Sequence, residues 1–227
     1  MEGSMKNIAE DFASMGAFSD AFGMNTLSIG SLKGYFAAEI GTIHGLGSSM
    51  FAASIGLSIL SKEEDAHTAQ YLFSLPLSRK KIITSKVAAF FSAILGFQII
   101  CALLYALGFF ILGETPGTFA FIAFMLAQLL MSLEIAAVCF CISAFLKKNT
   151  PGVGVGLALT LYLFDLLARI VPALKNFIFL TPFSYCNATD IFSKIEASGL
   201  SILLGCLLLA ACLLSGFIIY RRKDLAS

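Results

Sequence analysis

Charge is scarce in these 227 residues: Asp, Glu, Lys and Arg make up 13% of the chain against 58% hydrophobic residues, and mean hydropathy is +0.89. A soluble domain carries roughly 25% charge to cover its surface, so a water-exposed globule is excluded. The net charge of +1 is not gathered into a basic face, which argues against a nucleic-acid partner. Also missing is any G-x-x-x-x-G-K-[ST] phosphate loop, and no polar stretch is long enough to build a nucleotide-binding domain around one. The first 34 residues lack the basic start, apolar core and small-residue cleavage site of a secretory leader. The apolar runs show no alternation of period two, so a transmembrane β-barrel is excluded as well.

Cysteine chemistry is equally thin. Cys101, Cys139, Cys141, Cys206 and Cys212 fall inside apolar runs, and only Cys186 lies in a polar stretch, so no disulfide framework is expected. Cys139 and Cys141 are two apart on a helix and face different directions, a poor metal pair. They are expected to be small packing residues. Glu63, Glu64 and His67 are metal-ligand types, but the chain has one other His, and no metal or catalytic site is expected.

What the chain has is length of apolar sequence. About 20 apolar residues cross the hydrocarbon core of a bilayer, and five runs reach that length: 35–60, 87–112, 118–146, 152–171 and 200–220. The expected fold is all-helical, a polytopic bundle of about five spans. Orientation comes from Lys and Arg in the short loops. Lys62, Arg79, Lys80, Lys81, Lys86, Lys147, Lys148, Arg221, Arg222 and Lys223 fall on one side, and Lys6, Lys33, Lys175, Lys194 and Arg169 on or near the other. The first side is therefore expected in the cytoplasm. This divides the chain into an external segment 1–34 and a membrane domain 35–227, with a cytoplasmic loop 61–86 and an external loop 172–198.

The loop 61–86 is longer and richer than a chain reversal needs. "KEEDAHTAQYLF" (62–73) has no Pro or Gly and many helix formers, so helix is expected to continue through it. Pro76 stops that helix, and Ser78 is placed to cap the next one, whose first turn carries Arg79, Lys80 and Lys81 at the level of lipid phosphates.

These residues carry a resemblance. "EEDAHTAQYLFSLPLSRKKIITSK" (63–86) resembles the cytoplasmic coupling loop of exporter-type (type-2) permeases of ATP-binding-cassette (ABC) transporters. The matching positions are Glu63, Glu64, His67 before Thr68, Leu72, Leu75, Pro76, Ser78, Arg79 and Lys86. "FLTPFSYCNATDIF" (179–192) resembles the family's external segment and "YRRKDL" (220–225) its ending. The resemblance implies a permease of the bacterial plasma membrane that forms a homo- or heterodimer with a second permease subunit. It also implies export of a substrate driven by a separate ABC ATPase subunit, which holds ATP and Mg, and an ATPase-coupling role for Glu63, Glu64, Thr68, Leu72, Pro76, Ser78, Arg79 and Lys86. Gln70 departs from the acidic residue the family often has there. Five spans depart from the family's usual six, so a first helix is expected to be missing from this sequence.

Ionisable groups inside the spans need reasons of their own, each costing on the order of 2.5–3.5 kcal/mol at the bilayer centre. Glu134, near the middle of its run, is suited to line a pathway, to neutralise a cationic substrate or to bond a neighbouring helix. Asp165 and Arg169 are four apart on one helix face and are expected to pair. The three together would serve the rival function, an ion-coupled secondary transporter, although no internal repeat supports one. Glu39 and His44 are placed where water reaches. Gly41 with Gly45, and "GVGVG" (152–156), mark close helix contacts, either within the subunit or in a dimer.

Overall fold

A computed structural model describes residues 31–68, 77–193 and 199–222. Five helices in it are long and apolar enough to cross a membrane. They are α1 (Leu32–Asp65), α2 (Arg79–Ile111), α3 (Thr118–Phe145), α4 (Pro151–Ile170) and, after a short α5 (Ala188–Phe192), α6 (Gly199–Arg222). No strand occurs among the described residues. The five runs read from hydropathy correspond to these helices in order. Segment 1–30 lies outside the described residues.

The ends of the helices are set by local chemistry. Ser31 caps α1 by accepting from Gly34 N at 3.1 Å, and Ser78 caps α2 by accepting from Lys81 N at 3.3 Å. Pro151 opens α4, where its missing N–H costs nothing. Gly113 and Gly117, both at positive φ, turn the chain between α2 and α3.

Helix α1 ends at Asp65, inside the 62–73 stretch expected to be helical throughout; residues 69–73 of that stretch lie outside the described residues. His67 adopts φ +54°. Its N–H donates to the Glu64 carbonyl at 3.2 Å, and Thr68 N donates to the Glu63 carbonyl at 2.9 Å. These two bonds close a Schellman motif with His in the place Gly usually takes, so a helix can stop here without either breaker residue.

α1 and α3 form the core, with α4 and α6 packed on them, and α2 is exposed along its second half at Leu103, Leu107, Phe110 and Ile111. Small residues permit the close approach: a Cβ on Gly56 would collide with the Ala136 backbone, and one on Gly154 would sit 2.8 Å from the Ala53 carbonyl oxygen. Gly41 faces Ala188 and Phe124, and Gly45 faces Gln128, so the Gly41–Gly45 pair serves packing within the subunit. In "GVGVG" the contact belongs to the middle glycine, since Gly152 and Gly156 face open space.

A π-helical stretch, Phe36–Ile40, interrupts α1 near its start. Such a stretch inserts a residue and rotates the remainder of the helix relative to its first turn. Phe36 then points into a ring cluster with Tyr105, Phe109, Phe124 and Phe192 at centroid separations of 5.0–5.9 Å.

Candidate functional site

Two polar regions stand at opposite ends of the bundle. The first is the root of loop 61–86, where α1, α2 and the end of α6 meet. Lys86, one of the buried residues of α2, forms an ion pair with Glu63 on α1 and donates to the Ile59 carbonyl at 2.6 Å. Burying an ammonium is tolerable only with such partners, so the pair fixes the two helices in register where the loop leaves them. Ile59, Leu60, Ile83 and Tyr220 pack together beneath it. Arg79 donates to the Arg221 carbonyl at 3.4 Å, tying the start of α2 to the end of α6.

Of the coupling residues inferred from sequence, the structure joins Glu63, Thr68 and Lys86, because Thr68 bonds the carbonyl of the residue whose carboxylate holds Lys86. Ser78 is a helix cap, Arg79 is exposed, and Glu64 is half-buried. Leu72 and Pro76 lie outside the described residues. Sequence reading missed Tyr220 as the floor of this region, although a Tyr closing an apolar span was a visible signal.

The second region is the segment after α4, expected as an external loop. Part of it folds into the bundle: Thr181, Phe183, Tyr185, Cys186 and Thr189 are all buried. Cys186, expected in a polar loop, is buried against α3, where its thiol lies 3.3 Å from Met131 Sδ. The ionisable residues of the spans hold this segment. Tyr185 donates to Glu134 Oε2 at 2.7 Å, Thr181 donates to Asp165 Oδ1 at 2.8 Å, and Arg169 bridges Asp165 Oδ2 at 2.8 Å and Asp190 Oδ2 at 3.0 Å. The expected Asp165–Arg169 pair is present, with Asp190 as a further partner. Burial foremost, and then the adjacent Glu134, push the Tyr185 hydroxyl well above its ordinary range, so it stays a donor. Burial likewise raises the Cys186 thiol.

A third set of side chains links α2, α1 and α3 inside the bundle. Gln98 Nε2 donates to Ser132 Oγ at 3.3 Å, and Ser132 donates to the Gln128 carbonyl at 2.8 Å. Gln98 Oε1 must therefore accept from His44 Nε2 at 3.0 Å, leaving His44 Nδ1 to accept from the Tyr105 hydroxyl at 3.0 Å. His44 is thus a buried structural residue and not the water-accessible one expected. Gln98 and Gln128, polar residues in apolar runs, were the unused signal. Among the described residues no group of His, Cys, Asp and Glu is arranged to hold a metal ion.

No curated protein matches the chain. The ABC-2 family transporter protein family does, over residues 5–225. Five apolar helices, a cross-braced loop root at one end and an inward-folded segment at the other are the architecture over which that match extends. The chain belongs to the ABC-2 transporter family and is its membrane permease component.

Proposed function

We propose that this chain is the membrane-spanning subunit of an ABC exporter, working with a separate ATPase that docks on loop 61–86 from the cytoplasm. The observation that carries this reading is the Glu63–Lys86 ion pair. A loop that only reversed the chain would not require a charge pair buried at its root. A loop that transmits force needs both of its helices held in register, so that displacement moves α1 and α2 together and not the loop alone. ATP-driven closure of the partner would then bias the bundle between two arrangements. The basic residues of this end, by the positive-inside rule, support a cytoplasmic position for it, on the side where ATP is. A second permease subunit completes the transporter, with ATP and Mg held by the ATPase subunits.

The ion-coupled alternative asks Glu134, Asp165 and Arg169 to exchange ions with a pathway. All three are instead engaged with Tyr185, Thr181 and Asp190 of the segment after α4, which suits them to hold that segment. Affinity purification of the full chain from its native membrane, with mass spectrometry of what accompanies it, tests the proposal. A stoichiometric ABC ATPase is the expected result, and transport driven by an ion gradient without nucleotide is the result that overturns it.

A further inference from the structure

The two longest helices exceed the thickness of a membrane. α1 has 34 residues and α2 has 33, about 51 and 50 Å at 1.5 Å per residue, against a hydrocarbon core of about 30 Å. Even a tilt of about 40° leaves each with a vertical reach of about 38 Å, so both project beyond the core. The surplus falls at the end away from loop 61–86. Lys86 meets Glu63 and the Ile59 carbonyl, which sets the two helices at one level there, and the neighbouring charges Lys62 and Glu64 mark where apolar depth begins. About 20 residues from that level bring α1 to Thr42 and α2 to Ala106. Residues 32–40 and 107–112 therefore stand at or beyond the far boundary, in the company of Lys33, Glu39 and Glu114.

Between these projecting ends runs an apolar groove of about 120 Å³, walled by Leu32, Phe36 and Ile40 of α1 and by Leu104, Gly108 and Leu112 of α2. Leu104 and Leu112 are each 61% exposed, and a Cβ on Gly108 would meet nothing within 4 Å. Within the hydrocarbon core, lipid tails cover such a surface. Beyond it they do not reach, and an apolar groove open to water calls for a protein partner.

The chain itself supplies one. Residues 1–30 lead directly into Ser31, the cap of α1, and Leu32 after it is already a wall of the groove. The family match begins at residue 5, so 5–30 belongs to the membrane domain and is not an appended tail. Its apolar residues Met5, Ile8, Phe12, Met15 and Phe22 recur at intervals of three, four, three and seven, with Glu10, Asp11 and Asp20 off that stripe, the pattern of an amphipathic helix. Residues 23–30 separate Phe22 from the cap. Extended, they span up to about 26 Å, more than the roughly 12 Å that α2 rises from Leu104 to Leu112, so the chain can turn back along the groove. Aromatic rings suit the site, because Phe36 in its wall already packs on Tyr105 and Phe109 at centroid distances of 5.3 and 5.0 Å.

We propose that residues 5–22 dock in this groove as an amphipathic helix, with Phe12, Met15 and Phe22 against Leu104, Gly108 and Leu112, so that α1 and α2 are joined at this end as Glu63 and Lys86 join them at the other. The full chain in its native membrane is given a benzoylphenylalanine photocrosslinker in place of Leu104 or Leu112, and in place of the exposed Leu163 of α4 as a control. Mass spectrometry of the digested products is expected to join positions 104 and 112 to peptides from 5–30 of the same chain, and position 163 to none of them. Mixing isotopically heavy and light chains separates the same chain from a second copy. Lipid adducts alone from 104 and 112, crosslinks only to a second copy or to another protein, or capture of 5–30 from 163 as readily as from the groove overturns the proposal. A second measurement uses Gly108→Leu, which puts a side chain into the groove at a position where a Cβ meets no neighbour. Amide hydrogen exchange across 8–22 should quicken roughly tenfold to a hundredfold, the worth of one buried apolar side chain, while exchange in α3 stays as in the parent. Exchange across 8–22 that is unprotected in the parent, or unchanged in the variant, would equally overturn it.

Discussion

At the scale of residues, the bonds that matter most are those whose partners are far apart in sequence. Asp165 and Arg169 were legible because four residues on a helix put them on one face, and Ser78 because a cap is a local event. Lys86 was visible as a residue of the loop, but its partner Glu63 was not, because which carboxylate it meets depends on the register of α1 against α2. The same holds for Glu134, whose Tyr185 partner is 51 residues away. His67 was misread for a different reason: propensity sums cannot see that a non-glycine residue will accept a left-handed conformation when two carbonyls are satisfied by it. The buried pair yields a prediction. Lys86→Met or Glu63→Gln alone should destabilise the detergent-solubilised chain on the order of 3 kcal/mol, because each leaves a buried group without its partner. The double variant should lose clearly less than the sum, and a thermal or denaturant unfolding cycle reads the coupling directly.

At the scale of elements, hydropathy located all five spans, since apolar length is a property of composition and not of tertiary contact. It did not locate the π-helical turn at Phe36–Ile40 or the inward fold of the segment around Pro182–Tyr185. That segment contains Pro182, Ser184 and Asn187 and so reads as a surface turn, yet Phe183 and Tyr185 fill the space between helices. Glycine patterns were half legible. Spacing alone marked Gly152, Gly154 and Gly156 equally, but only Gly154 faces a neighbouring backbone. Gly154→Ala and Gly56→Ala should therefore each cost on the order of 1–3 kcal/mol by forcing α1 away from α4 or α3. Gly152→Ala and Gly156→Ala should stay within about 0.5 kcal/mol of the parent. Melting temperatures of the four variants in one detergent check this, and equal losses at all four would contradict the packing described.

At the scale of the whole molecule, the two ends of the bundle differ in kind. One end carries the basic residues and the braced root shared by α1, α2 and α6. The other carries a buried segment held by Glu134, Asp165 and Arg169. A displacement applied at the first end has a continuous route to the second through α1 and α3, the two most buried helices. His44, Gln98, Ser132 and Gln128 tie those helices to α2 along the way. That arrangement suits the proposed coupling, in which a force applied at loop 61–86 reaches the other end of the bundle.

Docking of an ATPase at loop 61–86 is the step on which the transport reading depends. Its most direct test is site-specific photocrosslinking in native membranes, with the crosslinker placed at the exposed Leu77 and, as the opposing control, at the exposed Glu114 between α2 and α3. Capture of an ABC ATPase is expected from position 77 and not from position 114. Capture from 114 alone, or no ATPase from 77 in a chain that is correctly inserted, would show that the partner docks elsewhere or not at all.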